Sequence, residues 1–378
     1  MTGREAIETL EPLGDSPELA HALHRLGWFL WRRGRGAEAE PLLRRAIGMA
    51  DRVQDVLVRA EATQSLALCL RQLGNGHEGE LLMEEAFRLA KEAGDTANLM
   101  RAHNNLAITR FELQGPQAAI EVVREGLDLA LRSGTIGAAA YIAATFAYME
   151  QLLGRLSDAE ERGRFAVSLG QRAGDEQIIG EALITLATSV LMRGRLDDAV
   201  ALRDEAATVM AASQNPQAAG TVPLFDGYLA LGRIDRGSAA ERFAEAASEV
   251  RAYDLGSYPE IFPDCARVFM LLGDRDTAAT YRDLEALTES VQSAVFAGNI
   301  SGLLEPDPAR AVELLTDAVA EYERLGMRIY AARAMVDLGR ALVRAGQDPH
   351  DVLERARDIL TACDARLFLF EVDEVTAD

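Results

Sequence analysis

Residues 23–47, LHRLGWFLWRRGRGAEAEPLLRRAI, return in outline as TQSLALCLRQLGNGHEGELLMEEAF at 63–87 and as HNNLAITRFELQGPQAAIEVVREGL at 103–127, a period of forty. The turn glycine Gly34 is followed at the same interval by Gly74, by Gln114 beside Gly115, by Gly154 and by Gly194. Seven or eight residues before each turn stands a large apolar residue with a small neighbour: Leu26-Gly27, Leu66-Ala67, Leu106-Ala107, Phe146-Ala147 and Leu186-Ala187. Two more small columns follow the turn, Ala39, Gly79, Ala119, Ala159, Ala199 and then Ala46, Ala86, Gly126, Ala166, Ala206. Each unit reads as two helices. Apolar residues such as Leu23, Leu26 and Leu30 recur at helical spacing. A glycine ends the first helix in the left-handed conformation that other residues adopt only at a cost. The Asp and Ser residues of RLDDA and RLSDA are expected to satisfy free amides at the start of the second helix. Gly94-Asp95, Gly134-Thr135 and Gly174-Asp175 are stop-and-start signals that separate units. Small residues at fixed positions let helices approach where a Leu would overpack by roughly 1–3 kcal/mol.

The register loosens after the fifth unit. Gly232 follows at 38 residues and Gly273 at 41, a shorter unit turns at Glu305–Arg310, and a last one turns at Gly346. The expected fold is all-α: an α-solenoid of about nine antiparallel helical hairpins. It is read as a single superhelix over 1–378, with a regular five-unit array at 18–215 and a less regular continuation at 216–378.

These residues resemble the tetratricopeptide repeat, whose L-G pair falls on Leu26-Gly27, turn glycine on Gly34 and small residues on Ala39 and Ala46. The period of forty is longer than that family's unit of about 34. Longer units with GRLDDA-type turns are similar to the C-terminal helical repeats of large bacterial signalling ATPases, among them transcriptional regulators and nucleotide cyclases. The closing segments YERLGMRIYAARAMVDLGRALVRAG (322–346) and ARDILTACDARLF (356–368) look similar to the ends of such proteins. The resemblance implies a sensor or adaptor array and not a catalyst. Residues 4–13 read as a second helix without its first, so a preceding domain or a longer parent is expected as readily as a free-standing repeat protein.

Composition narrows the function further. The 378 residues carry 39 Lys+Arg against 60 Asp+Glu, a net charge of −21, which disfavours nucleic acid and anionic membranes as partners. Lys91 is the only lysine, so no phosphate-binding loop with its Gly-Lys pair exists in this chain. Three scattered cysteines (Cys69, Cys265, Cys363) read as small core residues in a reducing compartment. No long apolar N-terminal run is present, and the uncharged stretch from Ser133 to Met149 is too short and rich in small residues to span a bilayer. A cytoplasmic, non-enzymatic protein without cofactor is expected. His21 and His24 share a helix face, but with no further ligand pair at a matching spacing they read as surface or groove histidines, and no metal is assigned.

In a stack of hairpins the first helices line the concave face, which yields the candidate binding residues. These are His24, Trp28, Trp31 and Arg32 in the first unit, Gln64 and Arg71 in the second, Arg101, Asn104 and Phe111 in the third, and Tyr141 and Tyr148 in the fourth. Aromatic and Arg side chains carry large contact energies, and Asn can hold a peptide backbone. The competing expectation is that Trp28 and Trp31 pack on a neighbouring unit or cover the open N-terminal end. The expected role is a protein–protein interaction scaffold or sensor in bacterial signalling or transcriptional regulation. Its partner is a protein or peptide, or an ATPase or regulator domain. The alternative is a repeat domain of a larger ATPase or cyclase regulator that senses a small-molecule inducer.

Overall fold

The computed structural model describes residues 3–213, 220–253, 261–285 and 290–377, and the expected boundary at 215/216 lies outside them. Among the described residues twenty α-helices follow one another and there is no strand. After α1 (Gly3–Leu10) come the hairpins α2/α3 (Pro17–Trp31, Gly36–Val53), α4/α5 (Val56–Gln72, Gly76–Ala93) and α6/α7 (Thr96–Gln114, Pro116–Arg132). The next three are α8/α9 (Ile136–Leu152, Leu156–Ala173), α10/α11 (Glu176–Met192, Leu196–Ser213) and α12/α13 (Thr221–Gly232, Arg236–Tyr253). The last three are α14/α15 (Ile261–Leu271, Arg275–Glu285), α16/α17 (Val291–Leu304, Pro308–Arg324) and α18/α19 (Arg328–Arg344, His350–Ala362), before a closing α20 (Leu369–Ala377). The nine expected hairpins are present.

Local sequence explains the breaks. Gly34, Gly74, Gly115, Gly154 and Gly194 have φ between 72° and 94°, the left-handed conformation that ends each first helix. At the unit boundaries Asp55, Asp95 and Asp175 accept the amide of the residue three further on, at 3.0–3.1 Å. Two expectations are corrected. The second helices α3, α5 and α9 open at Arg35, Asn75 and Arg155 without a side-chain cap, whereas Asp235, Asp274 and Asp307 accept amides at the start of α13, α15 and α17; in the uncapped three the acids Glu38, Glu78 and Asp158 sit inside the first turn. There they favour the positive end of the helix dipole instead of capping it. In the sixth hairpin the left-handed residue is Ile234 (φ 59°), not Gly232. Gly232 is needed for space, since a Cβ there would lie 2.5 Å from Leu367 Cδ1.

The chain divides into two compact units, Met1–Leu113 with Glu121–Ala138, and Gln114–Ile120 with Ala139–Asp378. In the first unit, Ile7 of α1 joins Leu19, Leu23, Met49 and Val58 in one apolar cluster, and Leu30, Leu43, Leu66, Cys69 and Leu70 form the next. The small columns lie at these contacts: Ala39, Ala46 and Ala86 are at most 1% exposed, and a Cβ on Gly79 would stand 2.8 Å from the Ala67 carbonyl. In the second unit, hairpins do not touch sequence neighbours alone. Leu325 lies against Gly115, Cys363 Sγ would be 2.8 Å from a Cβ on Gly154, and Arg366 lies against Gly194. Arg193 Nε donates to Asp364 Oδ2 at 2.8 Å across 171 residues. The loops after α17 and α19 therefore rest on the turns of the third to sixth hairpins.

Candidate functional site

In the first unit the forty-residue period aligns the first helices α2, α4 and α6, so His21, Glu61 and Arg101 are one column, and His24, Gln64 and Asn104 another. Their side chains meet. Glu61 Oε2 lies 3.6 Å from His24 Nδ1, while Glu61 Oε1 lies 3.3 Å from Asn98 Nδ2 and 3.5 Å from Arg101 Nη2. On its other edge His24 Nε2 shares a hydrogen bond with Ser65 Oγ at 3.1 Å. His21 meets the His24 ring edge-on with centroids 6.3 Å apart. Burial pushes the His24 imidazole down to about 4, against the pull of Glu61, with His21, Arg25 and Arg101 adding to the depression. It is therefore neutral at pH 7.

Along α2 and just past its end, Arg25 and Arg32 lie over the Trp28 ring, 5.4 and 5.6 Å from its centroid, and Arg33 lies 4.9 Å from the centroid of Phe29. These guanidiniums rest on aromatic faces, and among the described residues none of the three has an ion-pair partner. Trp28 is half-buried and Phe29 is 47% exposed. Trp31 is half-buried against the cluster of Leu30, Leu43 and Leu70.

The candidate residues thus divide. His24, Gln64, Asn104 and Phe111 are buried between helices, while Arg32 and Arg101 are exposed and Trp28, Trp31 and Arg71 half-buried. Arg71 is tied to Glu112. Tyr141 and Tyr148 belong to the second unit, the first exposed and the second half-buried on α8.

Sequence reasoning missed Glu61, although it stands forty residues after His21 and the repeat register leads to it. A second omission lies inside the second unit. Arg333, 2% exposed, donates to both oxygens of Glu371 at 2.8–2.9 Å and to Asp264 Oδ1 at 2.6 Å, and stacks on Phe368. Arg267 donates to Asp337 and Asp264, the Tyr228 hydroxyl to Asp264, and Asn299 Nδ2 to Asp337. Arg340 supplies the third cation opposite Asp337. Asp264, Asp337 and Glu371 thereby face the buried Arg267 and Arg333 and the half-buried Arg340, in a network that joins α12, α14, α16, α18 and α20. No sequence signal pointed there, because the central links, Arg267 with Asp337 and Arg333 with Asp264, skip a hairpin and join residues 70 and 69 apart.

A cavity of about 540 Å³ beside α3 is lined by Arg44, Arg45 and Arg52, but each is paired, with Glu78, Glu11 and Asp15 respectively. Among the described residues no helix is long and apolar enough to cross a membrane.

Neither a protein-family model nor a curated protein matches the chain. Solved structures do. A Rap protein in complex with the competence and sporulation factor is similar with a TM-score of 0.59 at 14% identity, over 79% of this chain and 81% of that one. The apo form of RapI is similar with a TM-score of 0.57 at 13% identity, over 73% of this chain and 98% of that one. At this identity the likeness establishes the fold: a TPR-like α-solenoid of antiparallel hairpins.

Proposed function

We propose that the protein is an interaction module that binds an acidic segment of a protein or peptide on the exposed part of its α2–α4–α6 face, and acts by binding and not by catalysis. The observation that carries this reading is the trio Arg25, Arg32 and Arg33, without ion-pair partners among the described residues, laid over Trp28 and Phe29 in a chain of net charge −21. Guanidiniums held on aromatic faces keep their N–H edges free for carboxylates, and Arg and Trp dominate binding energy at interfaces. A Rap protein with the same fold has been solved with the competence and sporulation factor, which supports a binding role for such an array. A cytoplasmic place in bacterial signalling, as part of or beside a regulator, fits this reading.

Trp28 and Trp31 are the only tryptophans, and both lie on this face, so intrinsic fluorescence reports on it directly. Titration with acidic and basic peptide pools should change the emission only for the acidic pool, and Arg32→Ala with Arg33→Ala should weaken the response. Equal response to both pools, or an unchanged response in the double variant, refutes the proposal.

A further inference from the structure

We propose that His21, His24 and Glu61 form a three-ligand site for a divalent transition-metal cation of the zinc type, with its fourth position open. The inference does not depend on the peptide reading above. One ligand atom from each of the three residues lies within 4.8 Å of the others, and they come from two helices of adjacent hairpins. Two imidazoles and one carboxylate are a donor set that zinc takes when it keeps an open coordination position. A carboxylate or His set three residues from another ligand on one helix is a spacing from which metal sites are built.

His24 supplies the second observation. Its side chain is only 6% exposed, yet Nδ1 has no hydrogen-bond partner and faces Glu61 Oε2 at 3.6 Å. That separation is too long for a hydrogen bond. With ligands bound at about 2.1 Å in tetrahedral geometry, two donors stand about 3.4 Å apart. A cation therefore fits between these atoms with almost no movement. When Nε2–H donates to Ser65 Oγ, the Nδ1 lone pair points at the carboxylate, and a cation between them relieves the repulsion. Ser65 thereby plays the orienting part that hydrogen-bonded neighbours of metal-ligating histidines have. His21 is exposed and free to swing inward to complete the set.

Two charges oppose a cation. Arg101 is engaged through Oε1 of Glu61 and Asn98, which leaves Oε2 to face His24, and Arg25 is drawn over Trp28. The arrangement thus directs one carboxylate oxygen to the arginine and the other to the histidines.

The test uses the full chain freed of metal by chelation. Calorimetric titration with zinc chloride should show one equivalent per chain, and Co²⁺ should give the visible absorption of a four-coordinate site. Glu61→Gln keeps the shape of the side chain and one acceptor oxygen for Asn98 and Arg101, and should lower zinc affinity at least about tenfold while the thermal melt of the metal-free protein stays close to wild type. His24→Ala should abolish the site, and if that variant does not fold, Glu61→Gln and His21→Ala decide. His350→Ala, on the exposed start of α19, serves as control and should leave binding unchanged. Absence of stoichiometric zinc, or binding that survives Glu61→Gln or His21→Ala undiminished, overturns the assignment.

Discussion

Replacing Arg333 by Met removes the centre of the buried charge network while keeping most of the side-chain volume. Three hydrogen bonds disappear, but their acceptors fare differently. Asp264 keeps Arg267 Nη1 on Oδ1 and the Tyr228 hydroxyl on Oδ2, so its charge stays compensated. Glu371 loses both Arg333 donors while its side chain is only 6% exposed, and Arg267 and Arg340 act on it only through space. Breaking a buried ion pair from one side costs about 3–5 kcal/mol, chiefly through the charge left behind. With one stranded carboxylate and not two, about 3 kcal/mol is expected for Arg333→Met. Adding Glu371→Gln removes that charge and should recover about 1–2 kcal/mol, so the double variant is more stable than Arg333→Met alone. Urea unfolding followed by far-UV circular dichroism measures both, as shifts of the midpoint at constant slope. A loss under about 1 kcal/mol in Arg333→Met, or a double variant less stable than the single, refutes the view that the network is a coupled unit.

Acid should act on the same network. Burial raises Glu371 and Asp337, but Arg333 for the first and Arg267 for the second outweigh it and hold both carboxyls below their ordinary values of 4.5 and 3.8. Their contribution is present above those values and is lost as pH falls below them toward the native-state values, so urea midpoints should decline below about pH 4.5 and less steeply in the double variant. Gly154→Ala combines a φ of +72° with a Cβ 2.8 Å from Cys363 Sγ and should cost about 2–4 kcal/mol, whereas Gly174→Ala, at φ +68° with open space around it, should cost about 1. Equal losses in thermal melts would mean that the Cys363 contact is absent. Ala107→Leu, at a position fully buried between α6 and its neighbours, should destabilise by roughly 1–3 kcal/mol, and an unchanged melting temperature contradicts the register.

The hairpins were legible because their signals are local. A glycine with positive φ and an aspartate cap act within four residues of themselves, and the small columns repeat at every contact of one kind. The sixth turn misled for the same reason: Gly232 has the right spacing, but its lack of a side chain serves Leu367, 135 residues away, and the turn falls to Ile234. The histidine cluster was half legible, since His21 and His24 share a helix while Glu61 is contributed by the next repeat. The network around Arg333 was not legible at all. Each of its charges looks like ordinary solvated charge until Arg267 and Asp337, 70 residues apart, are seen together.

The seating of the loops at Leu325 and Cys363–Leu367 on the turns of earlier hairpins bears on how such a chain can change over time. A solenoid held only by nearest neighbours gains or loses a repeat with little penalty, and its ends fray one hairpin at a time. In the second unit, deleting a repeat would slide Cys363 off Gly154 and Arg366 off Gly194 together, since both contacts depend on the number of residues in between. The copy number of this half is thereby locked, and it should open as one cooperative block, slowly assembled because its contacts bridge more than a hundred residues.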